Sequence, residues 1–139
     1  KHSIGTVLLR NIWGNDSCFE SHANQPRATL IDCCEGGWMR GHMGGNAEEA
    51  PHHLADLTIW NFTATSGDGG EFEWWDQNVT NWRFLKPYIY GFQSSSDITF
   101  PAEEVMIDKM HGTQIGPESL YESQLQNRGF NPTWLKYTK

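Results

Sequence analysis

The chain has 139 residues, 37% of them hydrophobic, with seven Trp, seven Phe and four Tyr. That suits one domain with a core of useful size, and it excludes an intrinsically disordered chain and, with no long apolar run, a helical membrane span. Ten basic and seventeen acidic side chains leave a net charge of −7, which excludes a general nucleic-acid binder, because that function needs a basic face to displace counterions.

The chain opens at Lys1 rather than Met, so it reads as a mature product or an excised fragment. From there, five short apolar segments recur, at residues 8–14, 30–36, 58–64, 85–91 and 106–112, each running into a small residue. Their closing positions 14, 36, 64, 91 and 112 are spaced by 22, 28, 27 and 21 residues. The same spacing aligns Ile12, Cys34, Phe62, Ile89 and Met110, all apolar. Each segment has the size and content of a strand and is followed by a turn. A second strand set lies between them: Cys18 to His22, then Trp38 to His42 twenty residues later, continued by Phe72 to Trp74 and Ile98 to Phe100. Short strands in irregular repeats, with almost no helix, predict an all-β parallel β-helix whose inward side chains form columns. An antiparallel sandwich is the competing arrangement.

The ending reads differently. Pro117 stands at a helix start, Gly129 just past a helix end, and Tyr121 and Leu125 share a face. The expected organisation is coils over residues 1–116, then a capping helix and tail over 117–139. The helix is expected to cover the open end of the coils, with the tail packed back over them. Three cysteines, an odd number, exclude a fully paired intramolecular disulfide framework. The adjacent Cys33 and Cys34 are poorly spaced for zinc and read as apolar filler, one turned in and one out.

Stacking residues 18–22 on 38–42 would put Glu20 beside Arg40 and His22 beside His42, about 4.8 Å apart. Arg40 would favour an ionised Glu20, suited to act as nucleophile or base, while the imidazoles carry protons or bind hydroxyls. The plain alternative is a polar ladder on a solvated face. Asp32 and Glu35 are further carboxylates, and glycoside hydrolysis needs two at a set separation. Trp38, Trp74, Trp75 and Trp82 lie near polar segments and could stack on sugar faces, or fill the core. His52 and His53 fit a loop better than a metal pair. Asp68, Glu71, Glu73 and Asp76 could bind calcium but lack EF-hand spacing, and no other cofactor is expected.

Ser17-Cys18-Phe19-Glu20-Ser21-His22-Ala23, Gln25 to Leu30, Gly36-Gly37-Trp38, Pro51 to Leu54, Leu57 to Phe62 and Ser119 to Leu125 carry a resemblance. The chain resembles a bacterial domain family that closes large pectate-lyase-like β-helix proteins. The resemblance implies a right-handed solenoid and a secreted, periplasmic or outer-surface protein acting on plant or algal polysaccharide. It also implies preceding coils, outside this chain, that hold part of any active site. The expected function is glycoside hydrolysis with Glu20, Asp32, Glu35 and His22 catalytic, and with Arg40, His42, Trp38, Trp74 and Trp75 binding substrate. A polysaccharide lyase and a non-catalytic end module for glycan binding or assembly are the alternatives. No nucleic-acid or membrane partner is expected.

Overall fold

A computed structural model describes residues 3–22, 25–39, 46–76 and 83–131. The described residues hold ten short strands: β1 (Val7–Leu9), β2 (Leu30–Asp32), β3 (Glu35–Trp38), β4 (Thr58–Trp60), β5 (Thr63–Gly67), β6 (Gly70–Glu71), β7 (Tyr88–Tyr90), β8 (Gln93–Ser94), β9 (Ile98–Thr99) and β10 (Ile107–Lys109). Two single 3-10 turns and one α-helix, α1 (Leu120–Asn127), complete them. The fold is all-β with one short helix.

Every sheet is parallel. The first runs β1-β2-β4-β7-β10, the second β3-β5-β8, and the third pairs β6 with β9. Parallel strands this short need long connections between them, and three of the four connections here, all but the one from β1 to β2, contribute strands to the other sheets. Along the first sheet Leu8, Ile31, Ile59 and Ile89 stand in register. The last three are fully buried, and Leu8 packs against them. A neighbouring column is aromatic. Trp13 stacks on Phe62 at 5.2 Å, Phe62 on Phe92 at 5.6 Å, and the His111 ring lies 5.6 Å beyond Phe92.

The repeat is real, but its spacing differs from the one expected. Val7 pairs Leu30, Leu30 pairs Thr58, Thr58 pairs Tyr88 and Tyr88 pairs Ile107, giving steps of 23, 28, 30 and 19 residues. Of the expected column, only the Cys34 to Phe62 step survives; Ile12 is 78% and Met110 50% exposed. The cause is the choice of landmark. What recurs is not a glycine but a corner: Arg10, Cys33, Asn61, Gly91 and Met110 each follow a strand of the first sheet with φ between 50° and 69°. A one-residue slip in register turns a side chain to the opposite face, so aligning on Gly misplaces the flanking columns. The corner N–H groups of Arg10, Cys33, Asn61 and Gly91 each donate to the next strand at 2.8 to 2.9 Å, to Asp32, Trp60, Tyr90 and Lys109 respectively.

The helix forms close to where the sequence places it. Ser119 is the N-cap, and its hydroxyl accepts from the Glu122 N–H at 3.1 Å. Its position is different from expectation: α1 lies along the flank of the first sheet, not across an open end of the coils. Asn61 carries the approach, its amide donating to the carbonyls of Ile115 and Glu118 and its oxygen accepting from the Ile115 N–H, all at 2.8 Å. Trp60 Nε1 donates to the Pro117 carbonyl at 2.9 Å. The tail residues Pro132, Trp134 and Tyr137 lie outside the described residues.

Candidate active-site cleft

After the Gly14 turn, the chain passes alongside β3, with the Asn15 and Ser17 carbonyls against Gly37. Phe19 packs edge-on to Phe84 at 6.1 Å, and the Ser21 hydroxyl donates to the His52 carbonyl at 2.9 Å. With these two side chains anchored, the alternation of an extended chain turns Glu20 and His22 outward together. His22 Nε2 lies 2.6 Å from Glu20 Oε1, and the two side chains are 63% and 43% exposed. Glu20 and Ser21 stand at the rim of a cleft of about 430 Å³ whose apolar wall includes Leu8, Trp13, Cys18 and Phe19. Chemically this is a solvent-facing carboxylate–imidazole pair able to exchange a proton beside a partly apolar surface.

Trp13 in that wall had no distinguishing signal in the sequence. Its Nε1 donates to the Gly37 carbonyl at 2.9 Å, which fixes the ring against β3. Gly36 makes this possible, because a Cβ there would run into the Trp13 indole.

Several expected site residues are placed elsewhere. Asp32 is fully buried and accepts from the Ser119 hydroxyl at 2.7 Å, the Tyr121 N–H at 2.8 Å and the Leu120 N–H at 3.3 Å. A carboxylate consumed by a helix N-terminus has no face left for a sugar. Glu35 is exposed on β3, but it does not line the Glu20 cleft. Trp38 and Trp74 are 0% exposed in the aromatic core, so they are filling and not stacking platforms. Trp75 is half-buried, its backbone N–H donating to Glu104 Oε2 at 3.1 Å. Arg40, His42 and Trp82 lie outside the described residues, so the Glu20–Arg40 and His22–His42 pairs do too.

His52 and His53 are not on an exposed loop: both are fully buried. His53 shares a 2.9 Å hydrogen bond with the Thr29 hydroxyl, and burial pushes its imidazole down to about 4. The thiols of Cys18, Cys33 and Cys34 are all pushed up, first of all by burial, which makes them poor nucleophiles. Cys34 is turned into the core and Cys33 outward, where its thiol donates to the Glu118 carbonyl at 2.9 Å. Among the described residues no three His, Cys, Asp or Glu side chains converge to hold a metal, so the acidic stretch from Asp68 to Asp76 gains no support as a calcium site. Among them, too, no helix is long and apolar enough to cross a membrane.

A second acid–imidazole pair, unmarked by the sequence reading, is Asp108 with His111, 3.0 Å apart. Its ring also lies 5.7 Å from Phe100, so it closes one end of the aromatic column.

Compared with known proteins, the chain matches a family model described as a domain of unknown function, DUF4955, over residues 1–138. No curated protein and no solved structure matches it.

Proposed function

We propose, from the premise that the chain belongs to the DUF4955 family, that it is the C-terminal section of an exported parallel β-helix enzyme that hydrolyses a plant or algal polysaccharide. The solenoid part of this reading is supported by the in-register parallel stack β1-β2-β4-β7-β10 with a left-handed-region corner after every strand. A right-handed wind follows from the usual hand of parallel crossovers. Export and the polysaccharide substrate come from the resemblance described above.

The hydrolase reading is carried by the exposed Glu20–His22 pair at 2.6 Å on the rim of a cleft. Glu20 is the carboxylate this section contributes, and His22 moves its proton or binds a hydroxyl. With Asp32 buried and Glu35 outside the cleft, the second carboxyl group comes from preceding coils. The test uses the full-length protein, wild type and Glu20→Gln, on neutral and acidic polysaccharides. Reducing ends should appear without unsaturated products, and the substitution should lower kcat by about 10²-fold or more. Ultraviolet-absorbing unsaturated products would select a lyase.

A second reading has its own observation. The return of residues 115–122 across Asn61, Asp32 and Arg10 ties the end of the chain to its first coils, as a closing module requires. In that case Glu20→Gln leaves the activity intact while removal of residues 117–129 destabilises the protein.

A further inference from the structure

A second cavity, of about 500 Å³, lies between α1 and the outer face of the first sheet. Its floor is apolar, formed by Val7, Ala28 and Leu30, and its walls carry Tyr121, Gln124 and Arg128 from the helix and Asp56 and Thr58 from the coil. The helix wall is fixed: Asp32 holds its N-terminus and Arg10 bonds Glu122 at 2.8 Å, so the groove exists before any ligand arrives. Asp56 and Arg128 make no ion pair among the described residues.

That lining discriminates between ligand classes. An anion would face Asp56, and a cation would face Arg128. A neutral polyhydroxylated ring uses both, giving hydroxyl hydrogens to the carboxylate and accepting from the guanidinium and the Gln124 amide. Its C–H face suits Tyr121 and the apolar floor. We infer that this groove binds a neutral pyranosyl unit of the polysaccharide. The inference rests on the polysaccharide reading above and narrows its substrate class. Val7 lines this groove and Leu8 the Glu20 cleft, on opposite faces of β1, so the bound unit is held apart from the proposed point of cleavage.

The experiment is isothermal titration of the full-length protein with cellotetraose, xylotetraose, mannotetraose and neoagarotetraose, and with tetragalacturonate as the acidic probe. At least one neutral tetrasaccharide should bind more tightly than tetragalacturonate. Tyr121→Ala and Asp56→Asn should each weaken that binding about tenfold. Asn tolerates the left-handed backbone at position 56 (φ 58°), so Asp56→Asn keeps the fold when Tyr121→Ala does not. Failure of all four neutral probes to bind, tighter binding of tetragalacturonate, or unchanged affinity in the folded variants would overturn the inference. Cleavage that depends on Glu20 alongside unchanged affinity in the groove variants sinks the groove alone. Groove-dependent binding without cleavage of any polysaccharide sinks the hydrolase and leaves the groove standing.

Discussion

The Asp32 carboxylate accepts a 2.7 Å hydrogen bond from the Ser119 hydroxyl, joining the second strand of the first sheet to the cap of a helix 87 residues further along. The same carboxylate accepts from two N–H groups of the first helical turn. These are charge-assisted bonds to donors that the helix itself cannot satisfy, placed where its dipole favours negative charge. Asp32→Ala should therefore cost about 3 kcal/mol, because it leaves buried donors unpaired. Ser119→Ala, which removes one cap, should cost about 1 kcal/mol. Thermal unfolding and proteolysis of residues 113–131 measure both. An unchanged midpoint for Asp32→Ala would mean that the helix does not need its anchor.

Asn61 carries two loads that substitutions can separate. It adopts φ 50°, and its side chain makes three 2.8 Å hydrogen bonds to the returning segment. Asn61→Gly keeps the corner and loses the bonds; Asn61→Ala loses the bonds and strains the corner. Both should destabilise by about 2 kcal/mol or more, with Ala worse than Gly by about 1 kcal/mol. Denaturant unfolding gives the difference directly. Equal midpoints would assign the whole effect to the side chain.

That double duty explains which features were legible in the sequence. Strand content, the helix and the existence of a repeat came from apolar segments, Pro117 and Gly129, all of which carry local signals, while the Ser119 cap emerged only in the structure. The repeat's true landmark did not. Its five corners are Arg, Cys, Asn, Gly and Met, which share a backbone conformation and no side-chain chemistry. The site suffered for the same reason. Asp32 reads as an ordinary carboxylate until Ser119 reaches it across the chain, and Trp38 reads as a surface platform until Phe62, Phe72, Trp74 and Phe92 enclose it. The contact between Glu20 and His22 was not legible either: the sequence pairs them with Arg40 and His42, and it is the alternation of one extended segment that turns them toward each other.

Trp38 gives a direct test of core against platform. Its ring lies 5.1 to 5.9 Å from those four aromatic neighbours, and it has no exposed surface. Trp38→Ala should cost about 3–5 kcal/mol through the cavity it leaves. Trp38→Phe should retain much of that stability and bind glycan as the wild type does. Normal stability with lost glycan affinity in Trp38→Phe would restore the platform role.

His53 sets a pH dependence whose sign follows from its surroundings. Burial lowers its imidazole from 6.5 to about 4, with Asp56 pulling weakly the other way. The folded protein thus resists a proton that the unfolded chain accepts. Stability from this group is complete above about pH 6.5, falls as the pH drops from there to about 4, and falls no further below that. The full loss is on the order of 3 kcal/mol, from about 1.4 kcal/mol for each pH unit of the shift. Carboxylates titrate over the lower part of the same window, so the informative quantity is the difference between wild type and His53→Gln. That variant keeps a hydrogen-bonding group near Thr29 and has no titrating ring. Its urea midpoint should lie below the wild type's at neutral pH, and the gap should close as the pH approaches 4. Parallel pH profiles for the two proteins would show that burial does not hold His53 neutral.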